Sequence, residues 1–259
     1  RTSVLALDGA WALTQGLAGK ELELLRPVNA PPVTVSSGWS TANISQPVAI
    51  LPIGMGVEAV VLQDTGGSAR VDVLDVQTGA VRPLAAGIAG TPTAMCWSAR
   101  QNTVLVATQA TSGWIVYEVV VSGDASVPVV QRAVQPATGG SNVLRGVVAR
   151  SATSVLATAG DQLLQIDWSE GSTRSVPLMR GMSEPHGLVL DPYDRDTVMI
   201  AERTFPGGTG NGRVARWNLR TRTPQAFLAV ANVPVRPSAM ATDPTGNMLF
   251  VLSEPLGGG

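Results

Sequence analysis

The chain has 259 residues, a formal charge of -1 and 14% charged side chains. Nucleic acid and anionic membrane surfaces are poor partners for such a chain, because both need a concentrated basic face. The single cysteine, Cys96 in the apolar run TAMCW, excludes an intramolecular disulfide and predicts a buried, inert thiol.

The length admits one large all-β domain or two small ones, with enough chain for a core that needs no staples. Lys20 is the only lysine among 18 basic residues, so the basic surface is almost all arginine, suited to bidentate contacts. No run approaches the ~18 apolar residues of a membrane span, and no signal peptide is visible. The chain opens at Arg1 without an initiating Met, as a processed or excised chain would.

In chain order, the predicted strands recur as copies of one unit. The first copy reads TSVLALDGAWALTQG as two strands, then ELELLRP, then VTVSS. The second opens at Gln46 with QPVAILPIGMGVEAVVLQD and continues through RVDVLDV and VRPLAA. The third opens at Thr91 with TPTAMCWSARQNTVLVATQ, followed by WIVYEVVV and VPVVQRA. The fourth runs from Asn142 as NVLRGVVARSATSVLATAG, QLLQIDW and RSVPLM. The fifth is EPHGLVLDPYDRDTVMIAER (184–203), GRVARWNL and QAFLAV. The sixth, RPSAMATDPTGNMLFVLSE (236–254), supplies two strands.

The copies start near residues 2, 46, 91, 142, 184 and 236, intervals of about 42 to 52 residues that suit four-stranded propeller blades. The turns QTGA, SGDA, SEGS and LRTRT are polar or glycine-bearing, as tight hairpins demand. No segment keeps a 3.6-residue apolar spacing, so helix is a minor component.

A lone four-stranded blade cannot bury both faces, so it stacks on its neighbours, and closing the ring removes the naked ends. The fold expected is therefore an all-β propeller of four-stranded antiparallel blades forming a single domain over 1–259. Six blades are preferred, the last incomplete here and completed from outside residues 1–259. The alternative is five, with RTSVLALD as a third strand closing the ring. The first strand of each copy is apolar almost throughout and is expected to pack on both faces near a crowded axis. Trp11, Trp97, Trp114, Trp168 and Trp217 lie in or beside strands as packing residues.

The pattern Pro-x-Gly-apolar-x-apolar-Asp-Pro, a second strand, then a third strand and a polar turn is carried best by PHGLVLDPYDRDTVMIAERTFPGGTGNGRVARWNLRTRT, with PSAMATDPTGNMLFVLSE next. It resembles the NHL repeat and the gluconolactonase-like propellers. Elsewhere Pro52, Ser98 and Ala149 replace the aspartate of the turn. The resemblance implies a site at one mouth of the central channel, on loops leading into the first strand and out of the second. Those loops carry Glu184, His186, Arg145, Thr93, Arg236 and Ser238 on one side, and Gln109, Asp64, Asp161, Glu202, Arg203 and Glu254 on the other. Glu184, His186, Arg145, Gln109, Arg203 and Arg236 are the expected binding set.

Propeller lyases that resemble this fold use several histidines, whereas this chain has one. The gluconolactonase-like enzymes imply a different alternative. In it Ca²⁺ or another divalent cation, held by Glu184, Asp64, Asp161, Asn142 and Glu254, polarises a lactone carbonyl.

His186 occupies the variable position of the Pro-x-Gly turn, where other copies have Ser238 and Thr93, and reads as a polar channel side chain. Its neighbour Gly187 permits close backbone approach. GGTGNG (207–212) joins two strands and opens no helix, so it reads as a flexible hairpin and not a phosphate cradle. Arg213, Arg216, Arg220 and Arg222 alternate along a strand and its turn as a solvated rim. Asn43-Ile44-Ser45 is an N-glycosylation acceptor if the chain is secreted, which tilts the expectation toward a secreted or cell-surface protein.

With no convergent catalytic set, the sequence leans away from an enzyme. It favours a non-catalytic propeller module without a cofactor, part of a larger protein or assembly. Such a module would bind a protein or glycan through one face and the loops 27–45, 122–142 and 204–212. A divalent-cation-dependent lactonase or esterase is the alternative.

Overall fold

Each repeat folds as one antiparallel sheet, its strands side by side in chain order. The computed structural model describes residues 4–8, 11–15, 22–25, 33–34, 44, 46–53, 58–75, 80–121, 129–134, 143–169, 172–204, 212–229, 235–242 and 249–255. Every regular element assigned among them is a strand.

The first sheet holds β1 (Val4–Asp8), β2 (Trp11–Gln15), β3 (Leu22–Leu25) and β4 (Val33–Thr34); the second, β5 (Pro47–Ile53), β6 (Glu58–Asp64), β7 (Ser68–Asp75) and β8 (Val81–Ala89). The third holds β9 (Thr91–Trp97), β10 (Thr103–Ala110), β11 (Gly113–Val120) and β12 (Val130–Val134), so the expected loop 122–142 contains a strand. The fourth holds β13 (Leu144–Ser151), β14 (Ser154–Ala159), β15 (Gln162–Ser169) and β16 (Ser172–Met179); the fifth, β17 (Pro185–Leu190), β18 (Thr197–Glu202), β19 (Arg213–Asn218) and β20 (Thr223–Ala229). The sixth pairs β21 (Val235–Thr242) with β22 (Leu249–Pro255) and has two strands among the described residues.

The first strands close a ring. β1 lies against β5, β5 against β9, β9 against β13, β13 against β17, β17 against β21, and β21 returns to β1. This is a six-bladed β-propeller. The five-bladed alternative is overturned, because β1 pairs with β2 inside its own sheet, Asp8 opposite Trp11.

The ring explains the apolar runs. Successive strand residues point to opposite faces, and here both faces meet a neighbouring sheet. On β10, Val104 and Val106 pack with the second sheet, while Leu105 and Ala107 pack with the fourth. On β14, Val155 and Ala157 face the third sheet and Leu156 faces the fifth.

One expectation is corrected. In the second to fifth blades the strand most fully packed on both faces is the second, not the first: β10 and β14 are buried almost end to end, while β5 and β17 are half-buried along most of their length. The second strand has a strand on either edge and a sheet over each face. The first strand is the innermost of its sheet, with a paired strand along only one edge.

Trp114 and Trp168 are buried in the contact between the third and fourth sheets, and Trp97 and Trp217 pack partly against neighbouring clusters. The side chain of Trp11 lies outside the described residues. Cys96 is buried, and burial pushes its thiol up to about 12, so it is inert near neutral pH.

The Asp-Pro turn has a physical cause in the fifth blade. Asp191 Oδ1 accepts from the amides of Tyr193 (2.9 Å) and Asp194 (3.3 Å), and Oδ2 pairs with Arg216 at 2.8 Å. The carboxylate shapes the turn and ties it to the third strand. Ser98 supplies the same turn-capping oxygen to the Arg100 amide at 3.2 Å. In the fourth blade Ser151 does so for Thr153, two residues beyond Ala149.

Candidate functional site

The site begins as an irregularity repeated in every blade. Where the first strand enters its sheet, its pairing with the second slips. The slip falls between Pro47 and Ala49, Pro92 and Ala94, Leu144 and Gly146, Pro185 and Leu188, and Pro237 and Ala239, with a counterpart between Val4 and Leu7. Each slip is a β-bulge, which leaves a residue outside the ladder and re-aims its side chain. The bulged positions are Val48, Thr93, Arg145, His186 with Gly187, and Ser238. The residue before each bulge, Pro47, Pro92, Leu144, Pro185 or Pro237, is buried and anchors it. Since the innermost strands are neighbours around the ring, these positions lie at the same, entry end of adjoining strands.

Glycine is required where those strands converge. A Cβ on Gly146 would meet the His186 carbonyl oxygen well under 3.0 Å and Leu188 Cδ2 at 2.8 Å; one on Gly187 would meet Ala239 Cα at 2.9 Å. The reading of Gly187 as a close-approach residue therefore holds.

This packing brings together two expected residues separated by 41 positions. Arg145 Nη1 lies 3.1 Å from His186 Nε2. A guanidinium only donates, so Nε2 accepts and the proton of the neutral ring sits on Nδ1. The backbone beneath is fixed: Thr158 Oγ1 donates to the His186 carbonyl at 2.5 Å, and the Arg203 amide donates to the Glu184 carbonyl at 3.2 Å. Glu184 is exposed and adopts a left-handed φ of 48°, a conformation uncommon outside glycine.

Burial, then the charges of Arg145 and Arg203, push the His186 pKa down to about 4. NMR titration of this single imidazole should return a value near 4; one close to 6.5 would show a ring free of both influences. A folded pKa below the unfolded one gives stability that is present above pH 6.5 and lost as the pH falls toward about 4. Acidification should therefore weaken the native protein relative to His186→Gln, as read from urea midpoints.

The remaining expected residues are less convergent. Gln109 Nε2 donates to the Ala110 carbonyl at 3.1 Å, and its Oε1 is buried without a partner. Arg236 is exposed, its backbone opposite Glu254. Asp64 is used locally: its Oδ1 accepts from the amides of Gly66 (3.0 Å) and Gly67 (3.1 Å). Asp161 is exposed, and its carbonyl accepts from the Met182 amide at 3.0 Å. Asn43, Asn142 and the side chain of Glu254 lie outside the described residues, as does most of the loops 27–45 and 204–212. Among the described residues no three His, Cys, Asp or Glu side chains gather in a metal-holding group.

Glu202 is not a mouth residue. It is fully buried, with Oε2 2.5 Å from Arg213 Nε and Oε1 without a partner. Burial raises its pKa; Arg213 and the nearby Ser183 amide oppose that rise, though the amide does not reach hydrogen-bonding geometry with Oε1. The solvated rim holds for Arg220 and Arg222, which are exposed, and is corrected for Arg213, which lies largely buried on Glu202; Arg216 and Arg220 pair with Asp191 and Asp196. The hairpin register was the available signal, since it sets Glu202 opposite Arg213.

No protein-family model matches the chain, and no curated relative matches its sequence. Solved structures do. The hydrazine synthase of Kuenenia stuttgartiensis aligns with a TM-score of 0.61 at 14% identity, over 97% of this chain and 83% of that one. A chain from the crystal structure of a nidogen/laminin complex aligns at 0.62 and 9%, over 87% and 78%. The Cps50 (Swd1) β-propeller domain of Myceliophteria thermophila aligns at 0.55 and 17%, over 85% of this chain but 64% of that one. At these identities the likeness is one of fold.

Proposed function

We propose that the ring is a non-catalytic interaction platform that engages a protein partner through its bulged mouth, within a larger protein or assembly. One observation carries the reading: five innermost strands bear chemically different residues at their bulges, Val48, Thr93, Arg145, His186 and Ser238, on a backbone locked by its neighbours, with Arg145 exposed and the others part-exposed. A rigid frame with a variable face suits recognition, since little conformational freedom is lost on binding. The nidogen/laminin neighbour, named for a protein complex, is in keeping with it. A protein is preferred to a neutral glycan because the mouth is charged. The Asp-Pro turn and Pro-x-Gly lead-in favour kinship with NHL-type and gluconolactonase-like propellers.

Photo-crosslinking tests the platform. A crosslinking residue at Thr93 should capture one discrete protein from source cells, and Arg145→Glu should abolish that adduct. The same probe at the exposed Arg174, on the outermost strand of the fourth blade, should capture none. Equal labelling from both positions would overturn the reading. Calcium-dependent hydrolysis of a lactone, lost in Glu184→Ala, would replace it with the lactonase alternative.

A further inference from the structure

Arg145 is exposed and makes no ion pair among the described residues; its described hydrogen bond goes to the uncharged Nε2 of His186. A guanidinium carries five donors in a planar fork that matches a carboxylate, and a charged acceptor forms hydrogen bonds roughly twice as strong as a neutral one. The internal contact is therefore one that an incoming carboxylate outcompetes. Two cations, Arg145 and Arg203, act on the His186 ring, with the exposed Glu184 two residues away as the nearest carboxylate in sequence. On the adjoining innermost strand, packed against Gly187, Ser238 Oγ is buried and has no hydrogen-bond partner.

We infer that Arg145 and His186 form the seat of a carboxylate from an acidic segment of the protein partner, an inference that rests on the platform role proposed above. Arg145 would grip the two oxygens, with the Nδ1–H of His186 and the Ser238 hydroxyl as further donors. The bulges on β13 and β17 hold the two side chains in place. Gly146 lets the two strands pack closely and the Thr158 hydroxyl ties the His186 carbonyl to the fourth blade, so the seat is built before the ligand arrives.

The chain's single histidine makes the seat observable without modification. Acetylated, amidated hexaglutamate should be titrated into the protein at low ionic strength, with the His186 ring protons followed by NMR. A saturable shift is expected, and the ring should protonate more readily in the peptide's presence. Arg145→Ala should weaken binding about ten-fold or more, and Arg145→Lys should recover only part of it, since an ammonium lacks the fork. Hexaglutamine should leave the signal unmoved.

An unmoved signal at about 10 mM hexaglutamate, or equal binding by Arg145→Ala, overturns the carboxylate seat. Inorganic phosphate binding more tightly than the peptide overturns it too, assigning the site to another oxyanion. None of these outcomes touches the crosslinking result, in which the platform stands or falls on whether the mouth and rim positions differ.

Discussion

Arg213→Ala is expected to lower the unfolding free energy by about 3 to 5 kcal/mol at pH 7, the loss typical when one partner of a buried ion pair is removed. Glu202 has no exposed surface, and Arg213 neutralises it from the next strand. Without the guanidinium, the carboxylate must stay charged in an apolar setting or take up a proton. The pH dependence separates these effects from simple loss of packing. Burial already raises the folded pKa of Glu202 above its ordinary 4.5, so this group's contribution is full below that value and is lost as the pH rises through the folded one. Removing Arg213 raises the folded pKa further. The deficit in urea midpoint should thus be large at pH 7 and shrink toward pH 4.5. The His186 contribution is common to both proteins and cancels. A deficit independent of pH would show that Arg213 acts through its aliphatic stem. Replacing both residues by leucine should restore most of the loss, because a packed apolar pair needs no desolvated charge.

Gly146→Ala should cost about 3 kcal/mol, toward the upper end of what overpacking a dense interior costs. The atom that the new methyl would strike first is the His186 carbonyl oxygen, part of the neighbouring strand's backbone and held by Thr158. Rotamer changes cannot relieve it; the fourth and fifth blades must separate locally. The same shift would break the 3.1 Å contact between Arg145 and His186. The variant should therefore show both a lower denaturation midpoint and a His186 pKa moved back toward 6.5, since a displaced ring loses part of its burial and its nearest cation. Destabilisation without movement of that pKa would place the strain elsewhere in the ring.

The fold was legible because its physics is one-dimensional. A thin sheet that must bury both faces writes continuous apolar second strands such as VLVATQ and SVLATA at regular intervals, whatever the rest of the repeat does. Ring closure was less so: the first copy is a weak match, and whether β1 starts a sheet or completes one depends on a contact with β21 at the far end of the chain. The site was legible only as a column, the variable residue after a buried proline or, before Arg145, a buried leucine. That Arg145 touches His186 follows from the packing of β13 against β17, which no spacing encodes. The role of Glu202 was obscured for a related reason. Its position at the end of a second strand suggested the mouth, yet its partner Arg213 draws it inside.

The bulges have a consequence for how such a ring changes over time. A residue displaced from the ladder bears no backbone pairing, so its identity is uncoupled from the register that keeps each blade in place. The constraints fall instead on the neighbours: the buried proline or leucine before it and the small residue after it. Positions 48, 93, 145, 186 and 238 therefore form a palette that mutation can repaint while the frame stands, and new specificity is open to this architecture without prior loss of its foldedness.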